Sequence, residues 1–117
     1  MGRKFLATAT AALSAGNNTV IAAPTADSAG QREHYIRKLT MQRTGTDPVT
    51  VIVKNGSGRE LEQRWVLNDA VPALYLMFDD ETEIGVGGGE PLVINASAAG
   101  ASMRVEYRTG SASAWPA

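Results

Sequence analysis

Cysteine is absent from the 117 residues of the sequence, and histidine occurs once. The absence of cysteine excludes disulfides, thiolate metal sites and thiol catalysis, so packing has to stabilise the fold. A single histidine, His34, excludes a histidine-based metal cluster and leaves at most one imidazole base. We therefore expect a structural or surface role for His34.

Long hydrophobic runs and an excess of one charge are also missing. A hydrophobic content of 44% with 20% charged residues is typical of a soluble globular protein, and no stretch has the length of a membrane-spanning helix. Eleven basic residues against twelve acidic ones give a net charge of -1, so we expect neither nucleic acid nor a membrane as a partner. The first residues resemble a secretion signal, but Thr8 and Thr10 interrupt the apolar run, and we expect the segment to be retained.

The charges that are present are unevenly placed. Through Arg64 there are nine basic and five acidic residues, a net charge of +4, whereas the residues from Trp65 onward carry two basic and seven acidic side chains, a net charge of -5. Halves of opposite charge could guide head-to-tail packing or docking on a charged scaffold. We favour scattered, solvated charge instead, because sandwich strands mix distant parts of a sequence.

Most of the chain is predicted to form short strands separated by turn residues. The clearest strand is Val49 to Lys54, and the turn Asn55-Gly56-Ser57-Gly58 folds it back on residues 60–67 as a hairpin. Residues 60–67 also contain good helix formers, but a strand is favoured because Gly58 and Asn68-Asp69 limit a helix to about two turns. Further strands are predicted at residues 5–13, 19–23, 34–41, 73–78, 91–97 and 103–108.

Two of these segments carry distinct patterns. Residues 73–78 are apolar on both faces, which predicts a central or interface strand that is covered on both sides. Met103, Val105 and Tyr107 alternate with charged residues, which predicts a strand with one buried face. Together the segments predict an all-β, single-domain β-sandwich or jelly roll of about seven to nine short antiparallel strands. Its expected parts are an N-terminal arm or edge strand at 1–17, the sandwich at 18–109 and a C-terminal tail at 110–117.

The residues that could carry chemistry lack the partners that chemistry needs. The acidic cluster of Asp79, Asp80, Glu81 and Glu83 lacks the ligand spacing of a calcium loop, so we expect it to solubilise a turn. The glycine-rich residues 85–89 lead through Glu90 and Pro91 into a strand rather than a helix, which disfavours a phosphate loop. No serine lies in a nucleophile elbow. We therefore expect no enzyme activity, no catalytic residue, no metal and no cofactor.

Aromatic residues and the chain ends are the remaining candidates for binding. Trp65, Tyr75, Phe78 and Tyr107 occupy positions that predict core packing. Trp115 ends a tail of small residues and is a candidate anchor for a neighbouring surface. At the other end, the candidate protein-interface residues are Arg3, Lys4, Phe5 and Leu6.

The sequence resembles small β-sandwich proteins encoded among the structural genes of tailed bacteriophages, of the capsid decoration or head-stabilising type. The resemblance is carried by the strand and turn pattern of Asn18 to Pro24, Tyr35 to Met41, Val49 to Lys54 with its Asn-Gly turn, Gly89 to Ser97 and the closing strand with Tyr107. It implies a repeated virion component, often trimeric, that sits on the capsid surface, binds the major capsid protein and is made in the host cytoplasm. The extension before Asn18 departs from the shorter versions of the pattern and leaves head, neck or tail open.

The favoured hypothesis is thus a non-enzymatic virion structural protein that decorates the capsid. A tail- or neck-associated sandwich is an alternative within the same class. A carbohydrate-binding module is a second class, because sandwiches often present aromatic side chains such as Trp65 or Trp115 to sugars. An enzyme that uses the acidic cluster is the third and least favoured.

Overall fold

The computed structural model describes residues 6–28 and 30–111. These residues form nine β-strands in chain order: β1 Ala7–Leu13, β2 Gly16–Ile21, β3 Arg32–Arg43, β4 Val49–Asn55, β5 Trp65–Leu67, β6 Ala73–Met77, β7 Ile84–Gly85, β8 Leu92–Ala96 and β9 Ala101–Ser111. None of the described residues forms a helix long and apolar enough to cross a membrane.

The strands form two antiparallel sheets. Sheet A has the order β1-β9-β3-β6, with the short β7 also paired to β3, and sheet B has the order β2-β8-β4-β5. The prediction of an all-β, single-domain sandwich with seven to nine antiparallel strands is confirmed, although β3 and β9 are longer than expected, at 12 and 11 residues.

One apolar core lies between the sheets. Buried side chains from sheet A are contributed mainly by Leu13, Ile36, Leu39, Met41, Met103 and Val105, and those from sheet B by Val49, Val51, Val53, Leu67, Leu92, Ile94 and Ala96. Alternate residues of β4 point inward, and so do Ala101, Met103 and Val105 of β9, so the strand with one buried face that was predicted around Met103 and Val105 is confirmed.

A register shift in β3 explains why its sequence does not alternate throughout. Ile36 pairs with Tyr107, but Lys38 pairs with Glu106, so Arg37 is the extra residue of a β-bulge. The bulge changes the phase of the strand, and both Ile36 and Leu39 are buried although they are three residues apart. Arg37 therefore has its side chain free to contact the turn that follows β6.

The predicted Asn-Gly turn closes the hairpin of β4 and β5. The side-chain oxygen of Asn55 accepts the N–H groups of Ser57 and Arg59, and its amide donates to the carbonyl oxygen of Val86 at 3.0 Å. Asn55 is buried, and these contacts satisfy its polar atoms. The turn is thus fixed both locally and to a distant loop.

One strand prediction is only partly right, and another is wrong about which faces are covered. Of residues 60–67, only Trp65–Leu67 form a strand, and Glu60 and Arg64 form an ion pair at 2.9 Å on the surface before it. Residues 73–78 were expected to be covered on both faces, but β6 lies at the edge of sheet A and one of its faces is exposed. An edge strand that is apolar on both faces is unusual, and in this fold it belongs to sheet A.

Candidate functional site

The predicted terminal anchors are only partly within the described residues. Arg3, Lys4, Phe5 and Trp115 lie outside them. Leu6 is half-buried and immediately precedes β1, which is an edge strand of sheet A. Of the predicted anchors, Leu6 alone is described, and it lies next to the β1 edge of sheet A.

Three rows of side chains cross the outer face of sheet A. Each row consists of the residues that are paired with one another across β1, β9, β3 and β6. The rows consist of Thr8, Glu106, Lys38 and Met77 in the first row, Thr10, Arg104, Thr40 and Tyr75 in the second, and Ala12, Ser102, Gln42 and Ala73 in the third. Small and polar residues dominate the rows until they reach β6. There, Tyr75 is 57% exposed and Met77 is 64% exposed.

The outer edge of β6 has no hydrogen-bonding neighbour among the described residues. Phe78 donates its N–H to the carbonyl of Arg37, and Arg43 donates to the carbonyl of Pro72. Along an antiparallel strand, the N–H and C=O groups of successive residues point alternately toward one neighbouring strand and toward the opposite side. Since Pro72 and Phe78 bond to β3, the N–H and C=O groups of Ala73, Tyr75 and Met77 point away from β3. The most exposed apolar side chains thus lie on the residues whose backbone groups are unpaired.

The expectation of core packing is therefore wrong for Tyr75. Trp65, Phe78 and Tyr107 do pack, partly buried, against the core. The indole Nε1 of Trp65 is buried without a hydrogen-bond partner among the described residues. The misassignment has a simple cause: tyrosine on an apolar strand has the same sequence signal whether its face is covered or not.

The free edge of β1 mirrors that of β6. Thr44 donates its N–H to the carbonyl of Gly100, and continuing this ladder directs the even-numbered residues of β9 toward β3 and the odd-numbered ones toward β1. On β1 the backbone groups that have no partner among residues 6–28 and 30–111 belong to Thr8, Thr10 and Ala12. Their side chains are exposed on the outer face.

The edges of sheet B differ from those of sheet A. β2 contains a register shift between Thr19 and Ile21, and β5 is only three residues long. Bulges and short strands are common ways of preventing an edge from pairing with another chain. Neither β1 nor β6 contains a bulge, a proline or a charged residue. Within the part of the chain that the structure describes, sheet A is therefore the sheet whose edges remain open to a strand from another chain.

The outer face of sheet A also contains a shallow depression of about 490 Å³. It is lined mainly by Thr10, Thr40, Gln42, Ser102 and Arg104, and Thr40 is paired directly with Tyr75 on β6. No protein-family model, curated protein or solved structure matches the chain.

The acidic turn between β6 and β7 is held by hydrogen bonds and two arginines. Asp79 accepts the N–H groups of Glu81 and Thr82, and these bonds, that of Glu81 first, lower the pKa of Asp79. Glu83 binds Arg108 with both carboxylate oxygens, and this hydrogen bonding raises the pKa of Arg108. Asp80 pairs with Arg37 at 2.9 Å.

The carboxylates of Asp79, Asp80 and Glu83 all have partners. Among the described residues, the carboxylate of Glu81 has none. Across residues 6–28 and 30–111, no group of three or more histidine, aspartate and glutamate side chains is arranged to hold a metal ion. The acidic turn is thus a structured loop that presents negative charge beside the end of β6.

The glycine-rich segment does receive a carboxylate, but it belongs to the protein. Gly87 donates its N–H to Glu33 at 2.8 Å, and Glu33 is buried. A Cβ atom at Gly85 would lie 2.6 Å from the Glu33 Oε2 atom, so a side chain at this position would overlap the carboxylate. Gly87 and Gly89 have φ angles of 115° and 71°, which make the bend tight. The segment is hydrogen-bonded to β3 of sheet A, because Val86 and Gly89 donate their N–H groups to the carbonyls of His34 and Arg32.

Tyr35 lies next to Glu33 on the same face of β3. Burial, followed by the charge of Glu33, raises the pKa of its phenol, and the guanidinium of Arg108 stacks 4.1 Å from its ring centroid. The hydroxyl donates to the carbonyl of Ser111 at 2.9 Å. These contacts connect Tyr35 to β9 and to the acidic turn through Arg108.

His34 has a structural role. Its Nε2 lies 2.8 Å from the carbonyl oxygen of Ala22, which can only accept, so Nε2 carries the proton and donates. The Nδ1 atom lies 2.8 Å from the hydroxyl of Thr109, and Tyr107 packs edge-on against the ring at 5.1 Å. The imidazole is buried and ties the segment after β2 to β9, which leaves it without access to a substrate.

Proposed function

We propose that the chain is a non-enzymatic virion structural protein that decorates the capsid surface and stabilises the head by binding the major capsid protein lattice. The all-β sandwich and the apolar edge of β6 support the proposal. Tyr75 and Met77 are large, exposed and adjacent to unpaired backbone groups. A protein partner would cover the apolar side chains and complete the hydrogen bonds at the same time.

Aromatic residues and methionine are enriched in the buried centres of protein interfaces. At β6 they occur on a strand with no charged residue, which a solvated edge normally has. The resemblance to phage head proteins supplies the class of partner, and the edge supplies a surface suited to it. Three of the clustered acids, Asp79, Asp80 and Glu83, and the single histidine are, in contrast, occupied by contacts within the fold.

The proposal is tested by adding the purified chain to undecorated capsid shells of the phage that encodes it. Because a ligand that binds only the assembled shell stabilises that state, saturating protein is expected to raise the temperature at which the shells disrupt. Replacing Tyr75 by lysine should weaken this gain. Val66→Lys is the matched control, because Val66 is 47% exposed on the other sheet. Shells that melt at the same temperature with and without the chain would contradict the proposal.

A carbohydrate-binding module is a second candidate, and the depression on sheet A favours it. Tyr75 lies beside Thr40, and Gln42 and Arg104 line the adjoining depression, a combination of aromatic and hydrogen-bonding groups suited to a sugar. Reproducible signals on a glycan array that disappear with Tyr75→Ala would move the assignment to this class.

A further inference from the structure

We infer that copies of the chain associate head to tail, with β1 of one copy added as an antiparallel strand to β6 of the next. The contact would place Thr8, Thr10 and Ala12 opposite Met77, Tyr75 and Ala73. The inference rests on the proposed function in that both require a protein to cover β6, and it commits to a second copy as that protein.

Strand direction permits this arrangement without any reversal. The steps from β1 to β9, from β9 to β3 and from β3 to β6 are all antiparallel, so β1 and β6 run in opposite directions. A following copy in the same orientation would therefore present its β1 antiparallel to β6. The sheet would continue from one copy into the next in the pattern that it already has.

The hydrogen-bonding groups and the faces also match. The unpaired backbone groups of β6 belong to residues 73, 75 and 77, and those of β1 to residues 8, 10 and 12. All six side chains lie on the outer face. In hydrogen-bonded antiparallel pairs, opposed side chains point to the same face, so the outer faces of the two copies would remain continuous.

The small residues of β1 suit the large residues of β6. Thr10 opposite Tyr75 and Thr8 opposite Met77 would allow the larger side chains to lie across the junction and lose solvent exposure. β-branched and aromatic residues are a favourable cross-strand combination. A contact between two copies of β1 would leave Tyr75 and Met77 as exposed as they are in one copy.

A two-fold contact between two copies of β6 is the alternative to the head-to-tail arrangement. Centred on Tyr75, it would place Tyr75 opposite Tyr75 and Met77 opposite Ala73. Only the head-to-tail contact places a threonine of β1 opposite both Tyr75 and Met77, and β-branched residues pair favourably with aromatic ones.

A head-to-tail contact is heterologous, because it joins two different patches of the chain. Such contacts form a ring if the rotation between copies closes, and a filament if it does not. The inference therefore predicts assemblies whose size grows beyond a dimer, which sedimentation velocity would detect over a concentration series.

Cysteine cross-linking tests the geometry directly, because the native chain has no cysteine that would react in the background. Two variants, Thr10→Cys and Tyr75→Cys, are oxidised separately and as an equal mixture. Opposed residues in an antiparallel pair have Cα atoms about 5.5 Å apart, within the range of a disulfide. We expect the mixture to form a disulfide-linked dimer at least tenfold faster than either variant alone.

The control pairs Tyr75→Cys with Thr40→Cys, which lies on the same face but in an interior strand. Circular dichroism and a thermal melt of each variant confirm that the fold is retained, as expected for substitutions of surface side chains. A mixture that cross-links no faster than this control would overturn the inference, and so would Tyr75→Cys dimers that form as fast alone. Shells stabilised by a chain that fails to cross-link would leave the proposed function intact and remove only the head-to-tail contact.

Discussion

Asp79 shows how single carboxylates shape the acidic turn. It accepts hydrogen bonds from the N–H groups of Glu81 and Thr82 and from the hydroxyl of Thr82. These bonds favour the charged form and hold its pKa below the ordinary value of 3.8. The turn is thus closed by a charge that the folded state stabilises.

Replacing Asp79 by asparagine should therefore lower stability in a pH-dependent way. A carboxyl group whose pKa is depressed in the folded state contributes stability above its unfolded pKa and loses it as the pH falls through the folded pKa. We expect Asp79→Asn to have a smaller free energy of unfolding than the native chain at pH 7, and the difference to close as the pH falls through the depressed pKa of Asp79. Urea denaturation at a series of pH values measures it.

Asp47→Asn is the control for the charge change, because Asp47 is exposed and accepts no hydrogen bond within the described part of the chain. It should leave the free energy of unfolding nearly unchanged at each pH. A gap between Asp79→Asn and the native chain that stays constant from pH 7 to pH 2.5 would show that the charge of Asp79 does not stabilise the turn.

Strands are where the sequence was most informative. The alternation of β4 and β9 follows from one buried face, and the Asn-Gly turn after β4 follows from backbone geometry, so both could be predicted locally. The bulge at Arg37 could not, because it depends on how β3 meets β9. The position of β6 at the edge was missed for a related reason: an apolar strand does not specify how many neighbours it has.

The candidate site was less predictable than the fold. Leu6 is the single proposed interface residue within the described range, and it adjoins the β1 edge. The free edges of β1 and β6 became visible only from the strand order, which depends on contacts distant in sequence. One local signal was available: an Ala-Thr strand without charge or proline, and an apolar strand with a tyrosine and a methionine, both lack the residues that usually protect edges.

The glycine-rich connection before β8 gives a prediction at the scale of elements. Because a side chain at Gly85 would overlap the buried Glu33 carboxylate, Gly85→Ala should displace β7 or Glu33 and reduce stability by about 1–3 kcal/mol. Chemical denaturation measures the loss. Gly45→Ala is the matched control, since the nearest atom to its Cβ would lie 3.5 Å away, an ordinary contact. Equal stabilities for the two variants would mean that Glu33 moves freely to accommodate the methyl group.

The whole molecule combines one well-packed core with two sheets whose edges differ. Sheet B is protected by a bulge and a short strand, whereas sheet A leaves β1 and β6 open on either side of a small polar face. Side chains that could have served catalysis, His34 and Glu33 in particular, are engaged in tying segments together. This division of roles is what we would expect of a module that is repeated in an assembly.

Imaging of intact particles tests the central claim most directly. Under the proposed function, electron cryo-microscopy of phage particles whose genome carries this sequence should reveal the sandwich at repeated positions on the capsid surface, with β6 covered by protein. Particles whose head density is complete without the sandwich, from preparations in which the chain is not detected by mass spectrometry, would contradict the assignment as a capsid decoration protein.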